Sequence, residues 1–156
     1  MSIANVREYF KQYNKENDVI EFETSSATVE LAAKAVGTEE ARIAKTLSFM
    51  TSEGPILIVT AGDTKIDNKS YKAQFSCKAK MLTMEEVENL VGHKVGGVCP
   101  FAIKDGVDVY LDNSMKRFES VFPAAGSSNS AIELTCEELE KFSQNFKCWV
   151  DVCVVR

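Results

Sequence analysis

One histidine, His93, stands in the whole 156-residue chain. That scarcity excludes a histidine-based metal cluster within one chain, because such sites draw several ligands from the same fold. The five cysteines, Cys77, Cys99, Cys136, Cys148 and Cys153, form no Cys-x-x-Cys pair. Their odd number and scattered spacing argue against both a disulfide framework and a zinc site. Buried free thiols in a reducing compartment are the expectation. No apolar run approaches the roughly 20 residues of a membrane-spanning helix. The start, Met1 to Glu8, lacks the apolar core of a signal peptide, so a cytoplasmic location with no membrane partner is the default. Neither Gly-x-Gly-x-x-Gly nor Gly-x4-Gly-Lys-Ser/Thr occurs, which removes the two commonest glycine-rich phosphate loops. Repeats, low-complexity segments and linkers are also missing, and a single domain over residues 1–156 follows.

What is present is an ordinary globular composition, 45% hydrophobic and 26% charged. A net charge of −5 argues against binding nucleic acid through the whole surface. The charge is uneven, however. Lys65, Lys69, Lys72, Lys78 and Lys80 share a segment in which Asp67 is the only acid, whereas Glu133, Glu137, Glu138 and Glu140 crowd another. A solvated face is the plain reading of such a lysine run, and local contact with phosphates is the functional one.

Hydrophobic spacing outlines the elements. Ile3, Val6, Phe10 and Tyr13 recur at helical intervals over residues 2–15. Val19–Phe22 reads as a strand. A helix is expected from Ala27 to Val36, with Ser25 or Ser26 as N-cap and Gly37 as its stop. A short helix from Thr38 to Ile43 then leads into a strand at Thr46–Met50. Ile56–Val59 is a continuous apolar run of the buried-strand type. Asp67–Gln74 reads as a helix. Thr83-Met84-Glu85-Glu86 and Thr135-Cys136-Glu137-Glu138 are capping boxes, the first opening a helix that Gly92 ends. Asp105-Gly106 signals a hairpin between Phe101–Ile103 and Val107–Leu111. Ser120–Phe122, Ala131–Leu134 and Cys148–Val155 complete the strands, with Trp149 as a packing anchor. The fold class is α+β: one mixed sheet with short helices around it.

Two places could carry chemistry. Lys45, in Arg42-Ile43-Ala44-Lys45-Thr46-Leu47, sits at the expected helix-to-strand junction, either snorkelling to the surface or aimed into a pocket. Gly96-Gly97-Val98-Cys99-Pro100 is either a tight turn or a backbone wall able to hold a carbonyl or a water. Cys99 with His93 as base would make a thiol hydrolase, but no third group and no nucleophile elbow accompany them. The loop Ala124–Ser130 is rich in hydroxyls and could border a substrate.

These motifs occur in a particular order: Arg42–Leu47, then Gly96–Phe101, then a strand ending in Leu111-Asp112, then Ala125-Gly126 followed by Ile132-Glu133-Leu134. In that order, over roughly Val19 to Phe142, the chain resembles the YbaK/prolyl-tRNA synthetase editing-domain family. The resemblance implies a barrel-like mixed sheet and hydrolysis of a mischarged aminoacyl-tRNA, with tRNA(Pro) foremost. It implies no cofactor and no metal, and makes a prolyl-tRNA synthetase a candidate partner. It places the family's lysine on Lys45, to hold the terminal phosphate or the aminoacyl group. Backbone groups of Gly96 and Gly97 would orient the scissile carbonyl, a ribose hydroxyl or a water. The expected substrate pocket takes in Phe22, Thr46, Val98, Cys99, Pro100, Ala124, Ala125, Gly126 and Ser127, and the lysines of 65–80 are the candidate for the local basic patch that recognition of a tRNA acceptor end needs. Such a site suits an activated ester, for which positioning and electrostatics can carry most of the acceleration.

The chain departs from the family in three places. Ala124-Ala125-Gly126 stands where the cysteinyl-tRNA(Pro) deacylases carry Ser-Gly-Gly, and Ala131 where they carry an aspartate. The late histidine of the alanine-editing members has no counterpart. Neither specificity is therefore carried over, and a non-catalytic module binding a tRNA end, a nucleotide or a partner protein stands as the alternative.

Overall fold

The structure, a computed structural model, describes residues 2–23 and 28–156. In chain order the elements are α1 (Ser2–Lys11), β1 (Ile20–Glu21), α2 (Val29–Val36), β2 (Ile43–Thr51), β3 (Gly54–Ala61), β4 (Thr64–Ile66), α3 (Asn68–Phe75), α4 (Met84–Glu86), β5 (Asp108–Asp112), β6 (Ser120–Pro123), β7 (Ser130–Ala131), β8 (Leu134–Thr135), α5 (Cys136–Phe142), β9 (Phe146–Val150) and β10 (Cys153–Val155). None of the described helices is long and apolar enough to cross a membrane.

Six strands form one curled, half-barrel sheet in the order β8-β6-β2-β3-β5-β9. β2 and β3 are an antiparallel hairpin, with Lys45 opposite Thr60. β6 joins β2, and β5 joins β3, in parallel. Two small ribbons, β1 with β7 and β4 with β10, stand apart from the sheet. The apolar run at Ile56–Val59 occupies the central strand, where Ile56 to Ala61 are all buried. Strand alternation sends its side chains to two cores. Leu57, Val59 and Ala61 pack with Val6, Phe10, Val87, Leu139 and Phe142 on one face. Ile56 and Ile58 pack with Phe49, Tyr71, Val150 and Val152 on the other.

The helix ends follow local chemistry. Asp67 caps α3 through Ser70 N, and both capping boxes form, at Thr83/Glu86 and Thr135/Glu138. Thr28 caps α2 and Gly37 closes it at φ 73°; the expected caps Ser25 and Ser26 lie outside the described residues. After α4 the chain widens into a π turn, in which Gly92 N bonds Val87 O five residues back.

Several expectations are corrected. Phe101–Ile103 is not a strand. The Ile103 peptide is satisfied by the Gln144 side-chain amide on both its N–H (3.0 Å) and its C=O (2.9 Å), so β5 turns instead to parallel neighbours. The tail is two strands rather than one, because Val152 leaves the ladder to donate to Asp112 Oδ1 (3.0 Å) and to accept from Asp67 N (2.8 Å). Ala131–Leu134 likewise divides between β7 and β8. The short helix at Thr38–Ile43 shrinks to a 3-10 turn at Glu40–Arg42, since Ile43 and Ala44 already pair with Phe122 and Pro123. Lys45 therefore lies inside a strand, not at a junction. Of the five thiols only Cys99 is buried, and Cys148 is exposed.

Candidate functional site

The site opens where β2 loses its neighbour. In an antiparallel ladder, alternate residues direct their N–H and C=O to opposite sides. Those of β2 that point away from β3 are visible at Ser48, whose carbonyl accepts from Leu82 N (3.1 Å), and at Met50, whose N–H donates to Lys80 O (2.9 Å). The same alternation turns the Thr46 peptide toward that edge. β6 covers the edge only as far as Ala44, and residues 80–82 take it up again at Ser48. In the interval lies a cavity of about 440 Å³.

Its walls come from five places in the chain: Thr28, Val29 and Ala32; Ile43 to Ser48; Met81, Leu82, Met84 and Val87; Val95, Gly96 and Val98; and Phe122, Ala124, Ser130 and Ala131. Lys45, Thr46, Gly96, Val98 and Ala124 thus meet around one space. Thr46 Oγ1 is buried without a hydrogen-bond partner among the described residues, a condition that costs a hydroxyl about 1–3 kcal/mol. The Lys45 ammonium donates to the Thr64 carbonyl. Burial, followed by the nearby Arg156 charge, holds it below the ordinary lysine value.

The two glycines do different work. Gly96 turns the chain at φ 98°, a left-handed conformation that favours glycine. Gly97 lets two backbones touch: a Cβ there would lie 2.6 Å from Ser127 N and 2.7 Å from Gly126 C. Gly97, Gly126 and Ser127 consequently border a second hollow behind the loop, with His93 and Lys94, rather than the first cavity. The Ser127 hydroxyl is engaged with Asn129 Oδ1 and Ser130 Oγ, both at 2.8 Å.

Other expected pocket residues stand behind the wall. Ala125 is fully buried. Pro100 is buried and its carbonyl accepts from Gln144 N (2.9 Å). Phe22 is half-buried, exchanging backbone and side-chain bonds with Asn129, and does not belong to the described cavity wall. Cys99 is fully buried, and desolvation pushes its thiol up to about 12. Its Sγ lies 3.5 Å from His93 Nε2, but that nitrogen is also 2.7 Å from Phe101 O. A carbonyl only accepts, so Nε2 carries the proton and cannot take one from the thiol. The Cys99–His93 hydrolase is removed on both counts.

Lys65, Lys69, Lys72, Lys78 and Lys80 are all exposed. Among the described residues none of them is paired with a carboxylate. Lys69, Lys72 and Lys78 surround one shallow depression beside Asn68 and Ala79. Lys80 leads directly to Met81, which with Met84 is exposed (58% and 71%) and lines the cavity. Sequence reasoning missed Met81, Met84 and Val87 as wall residues, since only the pairing of residues 80–82 with β2 brings them there. It also missed Arg156, which follows β10 and sets its charge near Lys45 without lining the cavity.

The chain is 58% identical over 155 residues, 98% of each protein, to the uncharacterized protein YwhH of Bacillus subtilis. Over 90 residues it is 31% identical to the proline--tRNA ligase of Aquifex aeolicus, covering 56% of this chain but only 16% of the ligase. A crystal structure described as that of a candidate trans-editing enzyme for prolyl tRNA synthetase superposes with a TM-score of 0.87 at 26% identity, over 97% of this chain and 96% of that one. Residues 23–142, which hold the whole cavity wall, match the aminoacyl-tRNA editing domain, and it is to this family that the chain belongs.

Proposed function

We propose that this protein is a trans-acting deacylase that hydrolyses the aminoacyl ester of a mischarged tRNA, tRNA(Pro) being the first candidate. The observation that supports the reading is that Lys45, Thr46 and the Gly96 turn line one mostly apolar cavity. An ester needs little more than this. A cation holds the phosphate or carbonyl end, an unpaired hydroxyl and strand-edge peptide groups orient the acyl carbon, and a water completes the attack. The wall offers Val29, Ala32, Leu47, Val87 and Val98 to the amino-acid side chain, which suits a small uncharged residue. Editing is required for just such residues, because a synthetase pocket discriminates weakly between small side chains. The exposed lysines Lys65, Lys69, Lys72, Lys78 and Lys80 supply phosphate contacts on the approach to Met81, and a prolyl-tRNA synthetase is the candidate partner that would present the substrate.

The Lys45 ammonium is already satisfied by Thr64 O, which favours one second reading: a module of the same fold that holds a tRNA end without turnover. A panel of alanyl-, cysteinyl-, seryl- and threonyl-tRNA separates the two. Loss of ester from at least one member, abolished in Lys45→Ala, is the expected result. Binding with no ester loss from any member overturns the deacylase.

A further inference from the structure

The carbonyl that receives the Lys45 ammonium is fixed from several sides. Thr64 follows the tight turn at Gly62-Asp63 between β3 and β4. Gly62 is pressed into its place, since a Cβ on it would lie 2.1 Å from Glu40 O. Asp63 is gripped by Arg117 through two hydrogen bonds (2.6 and 3.0 Å). Thr64 Oγ1 donates to Ala61 O (2.7 Å). The remaining contacts come from the far end of the chain. The antiparallel pairing of β10 with β4 sets Val155 opposite Thr64. Arg156 then donates its backbone N–H to Asp63 O (3.0 Å) and its guanidinium Nη2 to Gly62 O (3.2 Å). Arg156 lies outside residues 23–142, the span matched to the editing domain.

We infer that Arg156 is a positioning residue for Lys45: it ties down the Gly62-Asp63 turn next to the Thr64 carbonyl that holds the Lys45 ammonium, and it sets a second positive charge beside that ammonium. The inference rests on the reading of Lys45 as the group that meets substrate. The charged and titratable groups facing Lys45 are Arg156, Cys153 on β10, and Asp63, itself paired with Arg117. Arg156 disfavours the charged ammonium, whereas Asp63 and Cys153 favour it. A like charge nearby makes the ammonium readier to leave Thr64 for a phosphate or carbonyl oxygen of a ligand.

The test is the titration of Lys45 followed by NMR on lysine-labelled protein, with the signal assigned by its loss in Lys45→Arg. Arg156→Gln keeps the backbone bond to Asp63 and removes the guanidinium. It is expected to raise the Lys45 midpoint, while Arg156→Lys leaves it near the wild-type value and Asp63→Asn lowers it. An unmoved midpoint in Arg156→Gln, or an equal rise in Arg156→Lys, overturns the inference. In the deacylation assay kcat/KM is expected to fall in Arg156→Gln and to recover in Arg156→Lys. An active deacylase whose kcat/KM ignores Arg156→Gln also overturns it. The titration needs no substrate, so a protein that deacylates nothing defeats the functional reading while the Lys45 result stands by itself.

Discussion

Gly97 and Ser127 are in backbone contact: the position of a Cβ on the glycine lies 2.6 Å from the serine amide nitrogen. Two loops distant in sequence are fastened there without a side chain. Alanine at this position must push residues 96–98 off residues 126–127, displacing Gly96 and Val98 from the cavity wall. Gly97→Ala is expected to lower both the thermal midpoint and the deacylation rate. Gly106→Ala is the control: there φ is +88° and a Cβ meets nothing within 4 Å, so it costs about 1 kcal/mol of backbone strain and spares the rate.

Thr46 should show opposite signs in stability and activity. Its hydroxyl is buried and unpaired, so replacing it with a methyl relieves a desolvation cost. Thr46→Val is expected to leave stability unchanged or to raise it by about 1 kcal/mol, and to lower kcat at least tenfold. Thr46→Ser keeps the hydroxyl and most of the rate. Denaturant melts with steady-state deacylation on the same preparations decide it, and a Thr46→Val enzyme of wild-type rate removes the hydroxyl from the site.

The lysine approach is tested by salt. Each phosphate contact adds roughly 0.7–0.9 to the slope of log affinity against log salt. Replacing Lys69, Lys72 and Lys78 with Gln is expected to weaken tRNA binding and flatten that slope, with kcat at saturation little altered. Equal slopes for wild type and variant assign these lysines to solvent alone.

The Asp63–Arg117 pair predicts an acid-side signature. The Arg117 guanidinium holds the Asp63 carboxyl below its ordinary value of 3.8. A depressed carboxyl stabilises the fold fully above that ordinary value and loses its contribution as pH falls through the lowered one. Asp63→Asn is therefore expected to be less stable than wild type at pH 6 and to converge with it as pH falls below the lowered value. Parallel melting curves from pH 6 to pH 2 would remove the pair from the stability account.

Much of this architecture could be read from residue patterns, and the exceptions share a cause. Capping boxes at Thr83 and Thr135 and the stop at Gly92 are decided within a few residues, and each formed where expected. The run Ile56–Val59 declared a strand buried on both faces, which the centre of the sheet requires. Phe101–Ile103 failed because a distant Gln144 amide satisfied its peptide, and the tail divided because Asp112 captured Val152 N. Both are long-range contacts with no local trace. The site was legible in the same measure. Lys45, Thr46, Gly96, Val98 and Ala124 line one cavity, but Cys99, Pro100 and Ala125 are framework. The motif that names a loop does not say which of its residues look inward.

The π turn before the glycine loop has a consequence for chain length. A wide turn of this kind holds one residue more than an α-helical turn would. Each α-helical residue advances the chain by about 100°. Deleting a single residue between Val87 and Val91 would let an ordinary helix continue to Gly92, and everything after it would leave in a different direction. Gly96 would then no longer face β2, although every side chain of the cavity remained in the sequence. In this protein the count of residues along one short helix is itself a determinant of the site.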